Sequence, residues 1–395
     1  MKYQVYLAYK ESGVEWLGEV PEHWEIKRLR FVIKLNPSKA ELKKEELNLE
    51  TSFLPMEKVG TKGDIKLSET RLAYTVINGY TYFREQDVII AKITPCFENG
   101  KGAVCNGLKN GIGFGTTEFH VIRPHKNMRP NFIFYLTHSH HFINFGESEM
   151  RGAAGQKRVT DDYIKDYKLG IPTLEEQQQI ATFLDKETTQ IDTLIEKQQK
   201  LIELLKEKRQ ALISHAVTKG LNPNVPLKES GVEWLGKVPE HWETARLKYL
   251  SKKIIDGTHF TPTYLPSGVP FLRVTDIQNK EIDLTKVKYI SEDEHNELTK
   301  RCQPQKGDLL LSKNGTIGIP KVVDLDWKFS LFVSISLIKL KKELNVTFAE
   351  YFFQSQPIKE QTFGLTKQST VTNLHLDKIQ NYYFVVPPIE EQHPH

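Results

Sequence analysis

The sequence predicts an α+β protein in which a long coiled-coil helix joins two similar domains in a pseudo-two-fold arrangement. Three observations predict this fold. One 20-residue segment occurs twice, 218 residues apart; each copy is followed by an insert of short strands and turns; and a heptad repeat of apolar residues lies between the inserts. A chain of 395 residues is long enough for two or three domains with separate cores.

The duplicated segment, which we call the frame, is nearly identical in its two copies. Residues 10–29 read KESGVEWLGEVPEHWEIKRL and residues 228–247 read KESGVEWLGKVPEHWETARL, so that only positions 19, 26 and 27 differ. A shorter echo ends each half, where IPTLEEQ at 171–177 returns as VPPIEEQ at 386–392. Solenoid repeats are excluded because their units are only ~20 to 50 residues long.

The two inserts differ in sequence but have strands in corresponding places. Segments 87–93 and 118–122 have strand character in the first insert, and segments 308–312 and 333–338 have it in the second. We therefore expect one α+β fold for both inserts. The predicted boundaries are an N-terminal frame (1–23), a first domain (24–171), a central helix (172–222), the repeated frame (223–241), a second domain (242–386) and the start of a second helical region (387–395).

The segment from Leu174 to about Val217 is predicted to be one helix of roughly 65 Å. Pro172 precedes it and Gly220 follows it, as is typical of helix ends. Apolar residues recur every seven positions, which indicates a coiled-coil seam. The alternative is a long core helix of a globular domain. The predicted seam consists of Leu184, Ile191, Leu194, Leu201, Leu205 and Leu212.

Composition narrows the class of protein. The net charge is only +4 with a pI near 8.6, so a surface for a polyanion must come from local clusters of basic residues. The cysteines are Cys96, Cys105 and Cys302, without a CxxC pair, which suggests neither a disulfide framework nor a zinc site. No segment reads as a signal peptide or approaches the ~20 apolar residues of a membrane span. We expect a cytoplasmic protein.

Over essentially the whole chain, the repeated frame, the divergent inserts and the P-x-L-E-E-Q start of the helix resemble the specificity subunits of Type I restriction-modification systems. Within the inserts, ITPCFENGKG at 93–102, GFGTTEF at 113–119, DGTH at 256–259 and KGDLLLSKNGT at 306–316 are similar to target-recognition domains of that family.

The resemblance implies a non-catalytic chain that reads a bipartite sequence in double-stranded DNA. It implies two methyltransferase (modification) subunits and a restriction-translocase subunit as partners. No cofactor would be bound by this chain, since S-adenosylmethionine, ATP and Mg are used by the partner subunits. Consistently, the sequence has neither an Asn-Pro-Pro-Tyr or Asp-Pro-Pro-Tyr tetrapeptide nor a GxxxxGK[ST] loop.

In one respect the sequence departs from the family pattern. Family members continue into a second long helix after the second echo, whereas this chain ends at His395, so we expect an uncovered apolar seam and self-association through the central helix. Two other functions stay open. One is a truncated, phase-varied or non-functional subunit that acts as a coiled-coil oligomerisation module; the other is a self-contained DNA-modifying enzyme.

Polar, glycine-flanked loops are the candidate DNA contacts, because such loops bring backbone N–H groups and cationic side chains close to phosphates. The alternative for each is an ordinary turn or solvated surface. No catalytic residue and no metal ligand is predicted. The frame residues Trp16, Trp24, Trp234 and Trp242 are expected to pack the domains against the helix. The candidate DNA-binding residues are Lys92, Lys101, Thr116, Thr117, Gln156, Lys157, Arg158, Thr258, His259, Lys313, Asn314, Thr316, Lys367, Gln368 and Ser369.

Overall fold

The computed structural model describes residues 6–153, 155–278, 282–366 and 373–393. The chain divides into two compact units, Met1–Glu196 (unit 1) and Lys197–His395 (unit 2), and the division falls within the central helix. Lys367, Gln368 and Ser369, which are candidate DNA contacts, lie outside the described residues.

Unit 1 combines the first frame, the first insert and the beginning of the central helix. Its strands are β1 (Tyr9–Glu11), β2 (Glu19–Pro21), β3 (Glu25–Arg28), β4 (Ile33–Leu35), β5 (Glu50–Leu54), β6 (Thr70–Leu72), β7 (Thr81–Arg84), β8 (Val88–Ala91), β9 (Gly102–Val104), β10 (Ile112–Gly115), β11 (Phe119–Pro124) and β12 (Lys168–Ile171). Its helices are α1 (Ala73–Val76), α2 (Pro130–Thr137), α3 (His140–Ser148), α4 (Asp161–Asp166) and the first part of α5 (Leu174–Lys219).

Two sheets form the insert of unit 1. The first has the order β4-β11-β8-β9 and is antiparallel; the second has the order β6-β5-β10-β7, in which β5 and β10 are parallel. Successive side chains of a strand point to opposite sides, and both faces of β8 are buried. Val88 and Ile90 pack into the cluster that also contains residues of α2, α3 and α4, whereas Ile89 packs against Leu54 and Phe83 of the second sheet.

Unit 2 contains the end of α5, the second frame and the second insert. Its strands are β13 (Leu227–Glu229), β14 (Lys237–Pro239), β15 (Glu243–Arg246), β16 (Ser251–Asp256), β17 (Val269–Leu272), β18 (Lys288–Ile290), β19 (Leu309–Ser312), β20 (Pro320–Val322), β21 (Ser330–Leu331), β22 (Ile335–Leu340) and β23 (Tyr383–Val386). Its helices are α6 (Leu247–Leu250), α7 (Glu292–Thr299), α8 (Val346–Gln354), α9 (Gln356–Thr366) and α10 (Leu376–Gln380).

The prediction of one fold for both inserts is confirmed by the strand order. The sheet β16-β22-β19-β20 repeats β4-β11-β8-β9, and the parallel pair β17–β21 repeats β5–β10. Strand β19 is buried like β8, with Leu309 and Leu311 in one cluster and Leu310 in another. Strand β7 has no counterpart among the described residues of unit 2.

Each insert is joined to its frame by a two-stranded sheet. In unit 1 the last strand, β12, pairs antiparallel with β3, from Lys168 opposite Arg28 to Ile171 opposite Glu25. In unit 2, β23 pairs with β15 in the same way. The hydrogen bonds of such a ladder connect backbone groups only. The side chains of β12 also matter, since Leu169 is buried and a Cβ at Gly170 would meet the ring of Trp24.

Helix α5 is a single helix from Leu174 to Lys219, close to the predicted span. Thr173 and Glu176 form a capping box at its start: the Thr173 hydroxyl oxygen accepts from the Glu176 N–H at 3.3 Å, and a Glu176 carboxylate oxygen accepts from the Thr173 N–H at 2.8 Å. Gly220, with a φ of +76°, adopts the left-handed conformation common just after a helix.

The predicted seam is largely exposed on α5. Ile191, Leu194, Leu201, Leu205 and Leu212 have exposed fractions between 47% and 61%, and only Leu184 is half-buried. The alternative of a core helix is therefore wrong for residues 191–212. Coiled-coil pairing of this seam stays a prediction.

The frame tryptophans have two different uses. Trp24 donates to Glu176 in the first turn of α5 at 3.4 Å, and the ring of Trp242 lies beside Gly220, immediately after α5. Packing against the helix is thus confirmed for these two residues. It is wrong for Trp16, whose ring packs on Tyr167 with the ring centroids 4.8 Å apart, because the frame loop also folds over the insert.

Candidate nucleic-acid interface

The two units have equivalent lysines at the same end of one four-stranded sheet. This sheet is β4-β11-β8-β9 in unit 1 and β16-β22-β19-β20 in unit 2. In unit 1, Lys92 follows β8; its N–H donates to the carbonyl of Glu118 and its carbonyl accepts from the N–H of Val159, both at 2.9 Å. Lys313 follows β19 and makes the same two backbone bonds, with Ser334 at 2.9 Å and Leu374 at 2.7 Å. Register and backbone bonding therefore assign Lys92 and Lys313 to the same position of the fold.

In unit 1, Arg158 and Glu118 form a paired ion bridge beside Lys92. The guanidinium Nε and Nη2 of Arg158 each donate to one carboxylate oxygen of Glu118 at 2.9 Å. The two groups therefore form a bidentate ion pair. These hydrogen bonds from Arg158 lower the pKa of Glu118. The charge of Arg158 is therefore already shared with a carboxylate of the same unit.

An open pocket lies in front of Lys92. Its volume is ≈ 280 Å³, and its other lining residues combine aromatic rings with short polar side chains. Within the described ranges, no hydrogen bond or ion pair ends on the Lys92 ammonium. The remaining lining residues are Asn36, Pro37, Ser38, Lys39, Tyr80, Thr81, Tyr82 and Phe119.

In unit 2 the equivalent lysine contacts the buried carboxylate of Asp256, which also contacts two more exposed side chains. The Lys313 ammonium lies 2.8 Å from one carboxylate oxygen of Asp256; Arg301 Nη2 at 2.7 Å and His259 Nε2 at 3.2 Å contact the other. Burial acts to raise the pKa of Asp256, but the hydrogen bonds from Lys313, Arg301 and His259 outweigh it and hold that pKa at about 2. Asp256 is therefore ionised above a pH of about 2 and holds the side chains of Lys313, Arg301 and His259 by hydrogen bonds.

The other candidate residues gather at the same end of each sheet. In unit 1, Lys157 is exposed, and its carbonyl accepts from Thr94 at 3.0 Å. Lys101 bonds through its carbonyl to the end of β8 and through its ammonium, at 3.1 Å, to the carbonyl of Met56. Thr117 and Gln156 are exposed, whereas the hydroxyl of Thr116 accepts from the N–H of Glu118.

In unit 2 the candidates differ in exposure. Thr258 is buried, with its backbone bonded to Leu331 and Val333. Asn314 is half-buried and Thr316 is exposed, with the Thr316 hydroxyl accepting from Gln278 at 3.4 Å. Whether any of these side chains contacts DNA stays a prediction.

Sequence reasoning missed the groups that neutralise the predicted cations. Glu118 sits within a segment that reads only as a strand start, and Arg301 comes from the end of helix α7, 45 residues after Asp256. Only the DGTH segment gave a signal, because an Asp that begins a glycine turn is a candidate hydrogen-bond acceptor. The partners of that Asp depend on strand register, which the sequence does not display.

The described part of the chain shows neither a metal site nor a membrane-spanning helix. No three His, Cys, Asp or Glu side chains are grouped closely enough there to hold a metal ion. In the same residues, none of the helices combines the length and apolarity needed to cross a bilayer.

Comparison with a family model covers most of the chain. Residues 21–204 and 239–395 match the Type I restriction modification DNA specificity domain. The matched segments include both inserts, the beginning of α5 and the second echo.

Individual relatives match over different lengths. The EcoAI specificity subunit of Escherichia coli is 42% identical over 164 residues, which are 41% of this chain and 27% of that protein. The EcoEI specificity subunit of Escherichia coli is 40% identical over 170 residues, or 42% and 28%. The chain thus matches little more than a quarter of the length of these two relatives. The putative MjaX specificity subunit of Methanocaldococcus jannaschii is 26% identical over 406 residues, 97% of this chain and 88% of that one.

Solved structures share the fold. A chain from a structure on complex assembly and conformational transition of the type I R-M system is 21% identical, with a TM-score of 0.69 over 94% of this chain and 88% of that one. The HsdS subunit from Thermoanaerobacter tengcongensis is 20% identical, with a TM-score of 0.58 over 94% and 87%. With the family model matched across both inserts, the chain belongs to the family of Type I restriction-modification DNA specificity subunits.

Proposed function

We propose that this chain reads a bipartite DNA sequence, one half-site for each unit, and thereby directs a Type I restriction-modification complex to its target. One observation carries the proposal: the same sheet occurs twice, with different side chains at the same end. Base edges in the major groove differ in their donors and acceptors. Two different half-sites can therefore be read by two domains that share a fold but present different side chains.

The side chains at the equivalent end of the two sheets differ, which supports the reading of two different half-sites. In unit 1 this end has Lys92 and the Arg158–Glu118 pair, whereas in unit 2 it has Asp256 with Lys313 and Arg301. Donors and acceptors are thus arranged differently in the two units, and phosphate contacts would set the register of each unit on DNA.

The same proposal assigns catalysis to other chains. We infer that this chain is non-catalytic and docks methyltransferase subunits that use S-adenosylmethionine, together with a restriction-translocase subunit that uses ATP and Mg. The sequence lacks the tetrapeptide of adenine methyltransferases and the phosphate loop of an ATPase. The assembled complex would act in the cytoplasm, where its DNA is.

Methylome sequencing of the host tests the proposal. Deletion of the gene should abolish one bipartite methyl-adenine motif, and complementation should restore it. Exchange of residues 24–171 for the corresponding insert of a relative should change one half of the motif only. An unchanged methylome after deletion, or a chimera that changes both halves, would contradict the assignment of one half-site to each unit.

A second function is favoured by helix α5. Its apolar seam is exposed, and its charge is unequally distributed: residues 174–196 have six acidic and one basic residue, whereas residues 197–219 have six basic and two acidic residues. Two antiparallel copies would bring the acidic part of each helix beside the basic part of the other. We infer that a second copy of this chain can pair with α5 in this orientation.

A further inference from the structure

Lys92 and Lys313 occupy the same position of the fold, yet only one of them is free to bind an anion. We propose that Lys92 binds a backbone phosphate of DNA in unit 1, and that Lys313 binds none and serves to keep Asp256 buried in unit 2. This inference rests on the proposed function, since it assumes that DNA passes this end of each sheet.

Lys313 is committed to an internal partner. Lys313 and Asp256 are 6% and 3% exposed, and the ammonium lies 2.8 Å from the carboxylate. Moving the ammonium out to a phosphate would leave a buried carboxylate with one fewer counter-charge, which is strongly unfavourable. The lysine therefore acts as part of the core, although the sequence places it in a polar, glycine-flanked loop.

Within the described part of unit 1, no carboxylate takes the place that Asp256 has beside Lys313. Strand β16 extends to Asp256 in unit 2, whereas the corresponding strand β4 ends at Leu35 and is followed by Asn36 and Pro37. A carboxylate does come near, that of Glu118, but both of its oxygens are held by Arg158. Among the described residues, the ammonium of Lys92 therefore has no hydrogen-bonded carboxylate and can contact an external anion.

The pocket in front of Lys92 suits a phosphate. Ser38 lines it, and because its hydroxyl oxygen accepts from the N–H of Ala40 at 3.2 Å, its own O–H remains able to donate. Phe119 and Tyr82, which are almost fully buried, also line the pocket. A lysine ammonium binds phosphate as a point charge, and a neighbouring hydroxyl can donate a further hydrogen bond to it.

Salt dependence of DNA binding separates the two lysines. The full chain would be titrated with a fluorescently labelled duplex of arbitrary sequence between ~50 and ~200 mM salt. Loss of one phosphate contact lowers the slope of log affinity against log salt by about 0.9. Lys92→Gln should show this loss, and Lys92→Arg should keep the wild-type slope. Lys168→Gln, a change at an exposed lysine on β12, is the matched control and should also keep it.

Unit 2 needs a variant that folds without the buried pair. Asp256→Asn combined with Lys313→Met removes both charges and leaves an amide for Arg301, so no charge is left buried alone. This double variant should keep the wild-type slope. A slope reduced by about 0.9 in the double variant, or an unchanged slope in Lys92→Gln, would overturn the inference while leaving the proposed function intact. Failure of the wild type to bind duplex DNA would overturn both.

Discussion

Gln177 and Gln392 occupy equivalent positions in the two units and make the same set of hydrogen bonds. Each amide oxygen accepts from the backbone N–H that precedes a helix, Arg129 before α2 at 2.8 Å and Asn345 before α8 at 2.7 Å. Each amide nitrogen donates to the carbonyl of the proline five residues earlier, at 2.9 and 2.7 Å. The final residue of each echo is thus a buried cross-link between the end of the insert and a helix of the same unit.

Gln177→Ala should lower the free energy of unfolding of unit 1 by about 1 to 3 kcal/mol, because it leaves buried backbone groups without partners. Gln178→Ala is the control, since Gln178 is exposed and its side-chain amide donates to Thr182 on the same helix. Urea denaturation followed by fluorescence measures both. Equal midpoints for the two variants would contradict the cross-linking role.

Arg123→Met should destabilise unit 1 by about 3 to 5 kcal/mol, because Asp87, which is fully buried, would lose its cation. In the wild type, Arg123 contacts both oxygens of this carboxylate, at 2.6 and 2.7 Å. The control is Arg28→Met. Arg28 and its partner Asp166 are both about half exposed, so the expected cost is about 0 to 1 kcal/mol. Similar losses of stability for the two variants would show that burial of Asp87 is unimportant.

Glu176 should make unit 1 sensitive to acid. Burial acts to raise its pKa, but hydrogen bonds from the backbone and hydroxyl of Thr173, from His23 and from Tyr6 outweigh it and lower the pKa from 4.5 to about 2. The folded form therefore binds this proton less readily than the unfolded chain does. The resulting stabilisation is present above pH 4.5 and is lost as the pH falls toward 2.

Glu176→Gln should accordingly flatten the dependence of the unfolding midpoint on pH across this window. Thermal unfolding of both proteins at several pH values measures it. Glu175→Gln, at a neighbouring exposed position, is the control and should keep the wild-type slope. Parallel curves for the wild type and Glu176→Gln would contradict the prediction.

Leu205→Lys should weaken self-association, because it places a charge in the exposed seam of α5. Analytical ultracentrifugation measures the change. Thr193→Lys adds the same charge at an exposed position outside the seam and should have little effect. If pairing is antiparallel, high salt should also weaken it, because the acidic and basic parts of the helix would be screened. A wild type that is monomeric at all concentrations would contradict the pairing.

Much of the fold could be predicted from local patterns. The strands at Val88–Ala91 and Leu309–Ser312 are continuous apolar runs, and α5 has a seven-residue period with caps at both ends. The site could be predicted only in part. Lys313 was predicted to lie in an accessible loop, but its environment depends on Asp256, 57 residues earlier, which the register of β16 against β22 brings beside it. Such long-range ion pairs leave no local pattern in the sequence.

The joint between β3 and β12 has a consequence for how this protein can diversify. Because the ladder uses backbone groups, a foreign insert can complete it with a final extended segment of about four residues. Two of these residues must also fit their surroundings, since Leu169 packs in the core and a Cβ at Gly170 would meet the ring of Trp24. Gln177, which hydrogen-bonds the insert to the helix, and Glu176, which hydrogen-bonds the helix to His23 and Trp24, both lie outside the insert. Under the proposed function, a new DNA preference would therefore arise by exchange of a whole insert that meets these conditions rather than by gradual change.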